Sequence, residues 1–131
     1  NYEGIEVDRN EPVEYGQIIS EQDTGVLQSF MEQVVQEGTG TKLKGRSYTA
    51  AGKTGTAQES LLRPNHALFV GYAPYTEPEI AVATRIAHGY GSSNASVVAA
   101  EIMSYYFGEK TLENIAESGA NTETTTNSVT D

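Results

Sequence analysis

The sequence predicts an α+β fold in which an antiparallel sheet is covered by helices. Two apolar runs, residues 67–73 and 79–86, have the length of strands and are separated only by residues 74–78. A connection that short joins antiparallel neighbours. Apolar residues at helical spacing occur both before and after the strand region. The order helix, strand, strand, strand, helix therefore predicts about three strands and two main helices.

Residues 1–19 predict a lead-in of short strands or loop. Ile5 and Val7 alternate with polar residues, as in a strand, but Pro12 and Gly16 interrupt the pattern. The first residues also lack the basic start and the apolar run of a signal peptide. We therefore expect the folded domain to begin near residue 20.

The first helix is predicted from Ser20 to about Glu37. Ser20 followed by Asp23 resembles a capping box, in which a hydroxyl accepts a backbone N–H of the first turn. The apolar residues that recur at helical spacing are Val26, Leu27, Phe30, Met31, Val34 and Val35. The segment Gly38-Thr39-Gly40 follows, and we expect it to end the helix with a glycine in the left-handed conformation.

The first of the three strands is predicted in residues 48–56, which are rich in Thr and Ala. A polar turn region, residues 58–65, separates it from the second strand. Between the helix and this strand, Lys42, Lys44 and Arg46 are three of the eight basic residues of the chain. We interpret this basic segment as a solvated linker.

The second helix is predicted to end at Gly108, with Ser93 or Asn94 as its N-terminal cap. The residues expected to form its buried stripe are Ala95, Val98, Ala99, Ile102, Tyr105 and Tyr106. An exposed binding stripe that includes the two tyrosines is the alternative. Residues 111–131 are dominated by Thr, Asn, Glu and Ser, and they predict a disordered polar tail.

The composition excludes several classes of function. Eighteen acidic and eight basic residues give a formal net charge of -10, which argues against nucleic acid or an anionic membrane surface as the partner. Cysteine is absent, so the chain has no thiol nucleophile and no cysteine metal site. His66 and His88 have no carboxylate at ligand-like spacing. We expect these imidazoles to serve packing or hydrogen bonding, and we expect no metal and no cofactor.

One short motif, Lys53-Thr54-Gly55-Thr56, carries recognisable chemistry. A phosphate-binding P-loop would need a glycine at position 47, which is Ser47. It would also need a helix directly after the motif, whereas the next element that the sequence predicts is a strand. The alternative is the Lys-Thr-Gly motif that penicillin-binding proteins and serine β-lactamases use on a strand. The predicted strand context therefore favours the second interpretation.

The residue types suit an acyl-transfer enzyme that cuts beside a terminal D-Ala and must hold a free carboxylate. Lys53 supplies charge, and the hydroxyls of Thr54 and Thr56 supply hydrogen bonds. Gly55 lets a substrate approach the strand edge, and the backbone N–H of Thr56 is expected to contribute to an oxyanion hole. Side chains alternate along a strand, so Lys53 points away from Thr54 and Thr56 unless the strand twists at Gly55.

Other segments extend the resemblance beyond these four residues. Val34-Val35 with residues 37–41, then residues 51–58, then residues 66–74 resemble class B penicillin-binding proteins, and the resemblance covers about residues 20–108. It implies that residues 20–110 are the C-terminal part of a transpeptidase domain with a five-stranded antiparallel sheet. Class A enzymes share Lys-Thr-Gly-Thr, so the subclass stays open.

The nucleophile that this family uses is absent from the sequence. The family's serine stands in Ser-x-x-Lys, and no serine of this chain has a lysine three residues later. In Ser60-Leu61-Leu62-Arg63 the guanidinium is always charged and cannot act as the base. Residues 92–94, Ser-Ser-Asn, match the family's Ser-x-Asn in letters, but they follow the Lys-Thr-Gly motif, where helix capping explains them. We therefore expect the nucleophile upstream and this chain alone to be inactive, with Lys53 in a supporting role.

The resemblance implies that the parent protein is a serine DD-transpeptidase that binds peptidoglycan stem peptides and β-lactams. Its other partner would be the remainder of its own transpeptidase domain. It would act at the extracytoplasmic face of a bacterial membrane, anchored by a segment outside this chain. Two alternatives stay open: a non-catalytic penicillin-binding-like interaction module, and a fragment of a serine β-lactamase or DD-carboxypeptidase.

Overall fold

The computed structural model describes residue 11 and residues 13–120. Its elements are α1 (Glu21–Gln36), a short 3-10 helix (Thr41–Leu43), β1 (Ala51–Ala57), β2 (His66–Ala73), β3 (Ile80–Ile86), α2 (Ser92–Tyr106) and α3 (Leu112–Ala120). The three strands form one antiparallel sheet in the order β1-β2-β3. The predicted fold class, the three strands and the two main helices are confirmed, and α3 is an additional helix.

The pairing of the strands assigns each side chain to a face of the sheet. Lys53 lies opposite Val70, which lies opposite Ala83 on β3. Directly opposed residues project to the same side, so these three share one face, which we call the lysine face. α1 packs against β1, and Met31 of α1 lies near Val70 on the lysine face.

The opposite face of the sheet carries α2 and the hydrophobic core. Thr54 lies opposite Phe69, which lies opposite Thr84 on β3. The Thr84 hydroxyl donates to the Ala95 carbonyl of α2 at 3.0 Å, which fixes the helix on this side. The buried residues of the core are Val35, Leu43, Tyr48, Ala50, Ala67, Phe69, Ala73, Ala95, Ala99, Ala100 and Met103.

The ring of Phe69 lies directly over two glycines, Gly52 on β1 and Gly71 on β2. A Cβ atom at Gly52 would stand 2.3 Å from this ring, and one at Gly71 would stand 2.7 Å from it and 2.6 Å from the Ala51 carbonyl. Real Cβ atoms do not approach that closely. The absence of side chains at these positions therefore provides the space that Phe69, the largest of the fully buried side chains, occupies.

The start of α1 follows the sequence prediction, whereas its end does not. The Ser20 hydroxyl accepts the backbone N–H of Asp23 at 3.0 Å and donates to the Asp23 carboxylate at 2.7 Å. The predicted left-handed glycine at the helix end is wrong, because neither Gly38 nor Gly40 has a positive φ. A Cβ at Gly38 would stand 3.0 Å from the Val34 backbone. These glycines permit close approach to the last turn of the helix.

The apolar face of α1 is only partly covered by the described residues. Val35 is buried, but Val26, Leu27 and Phe30 are 47–57% exposed. The helical spacing of these apolar residues was therefore predicted correctly. The described residues, however, leave this face of α1 about half exposed.

The buried side of α2 differs from the prediction. The residues that face the core are Ala95, Ser96, Ala99, Ala100, Met103 and Ser104. Ala95 and Ala99 were predicted correctly, but Val98, Ile102, Tyr105 and Tyr106 are 40–51% exposed. Small side chains allow the helix to lie close to a sheet whose core is already filled by Phe69, so the larger residues turn outward. The helix also begins earlier than predicted, with Gly91 as its N-cap and no side-chain capping bond.

The predicted disordered tail is wrong for residues 112–120, which form α3. Thr111 is the reason that the helix begins there. Its hydroxyl accepts the Asn114 backbone N–H at 3.2 Å, and the Asn114 side-chain oxygen accepts the Thr111 N–H at 3.1 Å. This reciprocal cap is the local signal that the composition obscured. Residues 121–131 lie outside the described residues.

The basic segment differs from its prediction, and only part of the lead-in, which was predicted as short strands or loop, is described. Residues 1–10 and 12 lie outside the described residues, and residues 13–20 contain no strand. The basic segment is not simply a solvated linker, because the Lys44 ammonium donates to the Gln36 carbonyl at 2.8 Å and the Arg46 guanidinium lies 3.7 Å from Glu101. No helix in the described part of the chain combines the length and hydropathy needed to cross a membrane.

Candidate functional site

The motif Lys53-Thr54-Gly55-Thr56 lies in the middle of β1 at an edge of the sheet. β1 pairs with β2 and with no other strand among the described residues, so one edge of β1 is open. Along the motif, Lys53 is exposed, Thr54 is buried, Gly55 is intermediate and Thr56 is exposed. An open edge offers backbone N–H and C=O groups to an added strand. The arrangement can therefore bind an extended peptide beside a cation.

The Lys53 ammonium lies on the lysine face and has no acidic partner among the described residues. It donates to the Thr54 carbonyl at 2.7 Å. None of the ion pairs of the described residues includes Lys53. In a chain of net charge -10, an exposed ammonium without a carboxylate is available for an anionic ligand.

Thr54 is only 7% exposed, and its side chain points to the opposite face from Lys53, as strand alternation predicted. Its hydroxyl oxygen lies 2.5 Å from the hydroxyl oxygen of Thr39, in the loop after α1. Sequence spacing gives no sign of this contact, because Thr39 and Thr54 are 15 positions apart and meet only through the tertiary fold.

Gly55 and Thr56 complete the motif toward the end of β1. Gly55 lies opposite Leu68, and a Cβ at Gly55 would stand 3.3 Å from the Leu68 Cβ. Thr56 is exposed and lies opposite the buried Ala67. The predicted roles of Gly55 and of the Thr56 N–H stay predictions.

The serines that match family motifs in letters have other partners. The Ser60 hydroxyl accepts the Leu62 N–H at 3.1 Å within the turn after β1. The Asn94 side-chain amide donates to the Gly89 carbonyl at 2.8 Å, beside the start of α2. Neither contact places a base beside a serine hydroxyl, and the expected position of the nucleophile upstream stays a prediction.

A second polar cluster, which we call the histidine cluster, joins Glu59, His66 and His88. One potential ligand atom from each residue lies within 4.8 Å of the other two. The statement from the sequence that no carboxylate accompanies the histidines is therefore wrong, because the Glu59 carboxylate is 2.9 Å from His66 Nε2. The turn after β1 brings these two residues together across the end of the sheet.

The hydrogen bonds of the histidine cluster argue against a metal ion there. His66 Nδ1 accepts the His88 backbone N–H at 3.1 Å. We infer that the neutral His66 ring carries its proton on Nε2 and donates it to Glu59, so no lone pair is left for a metal. The Arg85 guanidinium, 3.4 Å from the same Nε2, would also repel a cation. The cluster instead ties the β1–β2 turn to the loop after β3, which confirms the predicted hydrogen-bonding role of His66.

The described residues also form grooves away from the motif. Two open grooves of about 820 and 550 Å³ are lined mainly by the outer side of α2 and by α3. Neither contains a residue of β1. These two grooves are therefore separate from the motif strand.

Comparison with known proteins identifies the family. The family model of the penicillin binding protein transpeptidase domain matches residues 2–105. The chain belongs to this family. It is 34% identical over 101 residues to the peptidoglycan D,D-transpeptidase MrdA of Acinetobacter baumannii, covering 66% of this chain and 15% of that protein. It is 37% identical over 81 residues to the stage V sporulation protein D of Bacillus subtilis, covering 58% of this chain and 12% of that protein.

Solved structures of penicillin-binding proteins show the same fold. The D,D-transpeptidase domain of a peptidoglycan glycosyltransferase from Eggerthella lenta aligns with a TM-score of 0.66 and 30% identity, covering 76% of this chain and 23% of that chain. Penicillin-binding protein 2 of Pseudomonas aeruginosa, in complex with WCK 5153, aligns with a TM-score of 0.55 and 40% identity, covering 60% of this chain and 18% of that chain. This chain thus spans less than a quarter of each of these relatives.

Proposed function

We propose that this chain is the substrate- and penicillin-binding portion of a peptidoglycan DD-transpeptidase. The proposal rests on one observation above all. The Lys53 ammonium is exposed at the open edge of β1, and no described carboxylate neutralises it. The similarity to MrdA and to transpeptidase domains supports a ligand of the stem-peptide or β-lactam class.

In this proposal the donor carboxylate lies at the open edge of β1, where Lys53 reaches it from one face of the strand and the hydroxyls of Thr54 and Thr56 reach it from the other. The peptide lies along the open edge of β1 and pairs with its backbone, as an added strand does. Gly55 presents no side chain to the approaching ligand. The N–H of Thr56 donates to the oxygen of the scissile carbonyl, where negative charge develops during attack.

The reaction needs a serine from outside this chain. Its oxygen attacks the carbonyl before the terminal D-Ala and forms an ester, and the D-Ala leaves as an amine after it takes up a proton. An acceptor amine then attacks the ester, forms a new amide and releases the serine hydroxyl. With β-lactams the same attack opens the ring and leaves an acyl-enzyme. We therefore propose that the parent protein acts outside the cytoplasmic membrane, where peptidoglycan is built, and that this chain alone is inactive.

The test is acylation of the longer protein by a fluorescent penicillin. We expect Lys53→Ala to slow acylation by at least about tenfold, because a charge-assisted contact to the carboxylate is lost. Lys42→Ala is the matched control, since Lys42 lies in the short 3-10 helix after α1 rather than on β1. Its acylation rate should equal that of the wild type.

Each contrary result points to a specific alternative. Equal acylation rates for Lys53→Ala and wild type would refute the role given to Lys53. A wild-type protein that is never labelled would support the non-catalytic interaction module. Rapid turnover of the penicillin would support a β-lactamase or DD-carboxypeptidase.

A further inference from the structure

The loop after α1 contributes a hydroxyl to the motif strand. Thr39 Oγ1 lies 2.5 Å from Thr54 Oγ1, and this is the side-chain hydrogen bond that the described residues provide to Thr54. Thr39 is exposed, whereas Thr54 is 7% exposed. The contact joins residues that are 15 positions apart in the sequence. It places a residue outside the Lys-Thr-Gly motif in direct contact with a hydroxyl that the proposed function assigns to ligand binding.

Two backbone hydrogen bonds hold Thr39 in this place. The Gly38 N–H donates to the Gln33 carbonyl at 3.2 Å, and the Gly40 N–H donates to the Val34 carbonyl at 2.9 Å. Added Cβ atoms at the two glycines would stand 3.0 and 3.1 Å from the Val34 backbone oxygen. A threonine between two glycines would otherwise be mobile. The tight contact with the last turn of α1 instead fixes its hydroxyl against β1.

The number of hydrogens then limits what the two hydroxyls can do together. Each hydroxyl has one hydrogen to donate and two lone pairs that accept. One of the two hydrogens is used between the oxygens, so the pair has one hydrogen left for a third group. A carboxylate only accepts hydrogen bonds. If Thr54 donated its hydrogen to Thr39, the Thr54 hydroxyl would have only lone pairs left, and it could not donate to a carboxylate.

We propose that Thr39 is a positioning residue that donates to Thr54 and so directs the Thr54 hydrogen toward the ligand carboxylate. The inference rests on the proposed function, because it concerns the carboxylate that Lys53 and Thr54 bind there. Acceptance of a hydrogen bond also polarises the Thr54 hydroxyl and strengthens its own donation. Thr39 and Thr54 therefore act as one unit in recognising the carboxylate.

The experiment compares two β-lactams on the longer protein: one with its free carboxylate, and the same compound as its neutral methyl ester. The variants are Thr39→Val, Thr39→Ala, Thr39→Ser, Thr54→Val and the double variant Thr39→Val/Thr54→Val. We expect Thr39→Val and Thr39→Ala to lower the second-order acylation rate for the free acid by on the order of tenfold, with little change for the ester. Thr39→Ser, which keeps the hydroxyl, should stay near the wild-type rate.

The double variant tests whether the two hydroxyls act as a unit. We expect it to be no slower with the free acid than Thr54→Val alone, because the second loss removes a hydroxyl that no longer has a partner. Multiplied losses would overturn the inference, since they would show independent contributions. Equal slowing of acid and ester by Thr39→Val would also overturn it and show a merely structural role.

The outcomes separate this inference from the proposed function. If the wild type prefers the free acid but Thr39→Val and Thr39→Ala retain that preference, the role of Thr39 is refuted while the carboxylate site stands. If the wild type is not acylated, or reacts equally with acid and ester, the proposed carboxylate site fails and the role of Thr39 fails with it.

Discussion

Single residues of the motif behave as strand geometry requires, but their partners depend on the tertiary fold. The opposite orientation of Lys53 and Thr54 follows from alternation and was predictable from four letters. The contact of Thr54 with Thr39 was not, because a loop conformation decides it. The same holds for His66 and Glu59, which a turn brings to 2.9 Å. A loop and a turn set these two contacts, and the spacing of the residues along the sequence does not reveal either.

Tyr48 offers a pH test at the residue scale. Its hydroxyl donates to the Ala100 carbonyl at 3.1 Å, and burial raises the pKa of Tyr48 above its ordinary value of about 10. In the unfolded chain the phenol ionises first, so folding then requires a proton to be taken up again. The contribution of the protonated Tyr48 to the unfolding free energy is therefore complete below about pH 10. It is lost as the pH rises through the pKa of Tyr48 in the folded state.

We expect the unfolding free energy of this chain to fall more steeply above pH 10 in wild type than in Tyr48→Phe. Urea denaturation at several pH values between about 8 and 11.5 measures this, around the ordinary tyrosine pKa. Tyr90→Phe, at a residue that is 72% exposed, is the control and should keep the wild-type slope. Parallel pH profiles for wild type and Tyr48→Phe would contradict the account.

The three strands and the two main helices were predicted in the correct order, whereas α3 was missed. The strands lie within one to a few residues of their predicted bounds, since apolar runs and turn residues delimit them locally. The prediction of which side of α2 packs on the sheet was wrong. Helical periodicity alone does not tell whether the small or the large residues of a helix face a core that is already filled. Ala99 and Ala100 are buried there, while Ile102 is 42% exposed.

Close packing of β1 and β2 around Phe69 gives a test at the scale of elements. A Cβ at Gly71 would stand 2.6 Å from the Ala51 carbonyl and 2.7 Å from the Phe69 ring. We expect Gly71→Ala to lower the unfolding free energy of this chain by about 1–3 kcal/mol, because the strands or the ring must move.

The matched control for that substitution is Gly25→Ala. Gly25 lies inside α1, and a Cβ there would meet nothing within 4 Å. Alanine is the better helix former, so this change should raise the unfolding free energy by about 0.5–1 kcal/mol. Urea denaturation of both variants measures the pair, and a neutral or stabilising Gly71→Ala would show that the sheet is looser than described.

The whole molecule combines a small core with a large exposed apolar surface. Half-exposed apolar residues occur on α1, at Val70 of the lysine face and along the outer side of α2. Such surface is unusual for an isolated domain and typical of a surface with a partner. The chain spans only 15% of its MrdA relative from Acinetobacter baumannii. We propose that the remainder of the transpeptidase domain covers part of this surface. The residues that would cover it cannot be read from the sequence of this chain.

We propose that these residues form the substrate-binding half of an acylation site whose serine lies outside residues 1–131. The most direct measurement is to acylate the longer wild-type protein with penicillin, digest it and locate the acylated serine by mass spectrometry. We expect one modified serine, upstream of this chain and within a Ser-x-x-Lys sequence. An acyl group on a serine of this chain, such as Ser60, would contradict the claim, and so would a protein that penicillin does not acylate.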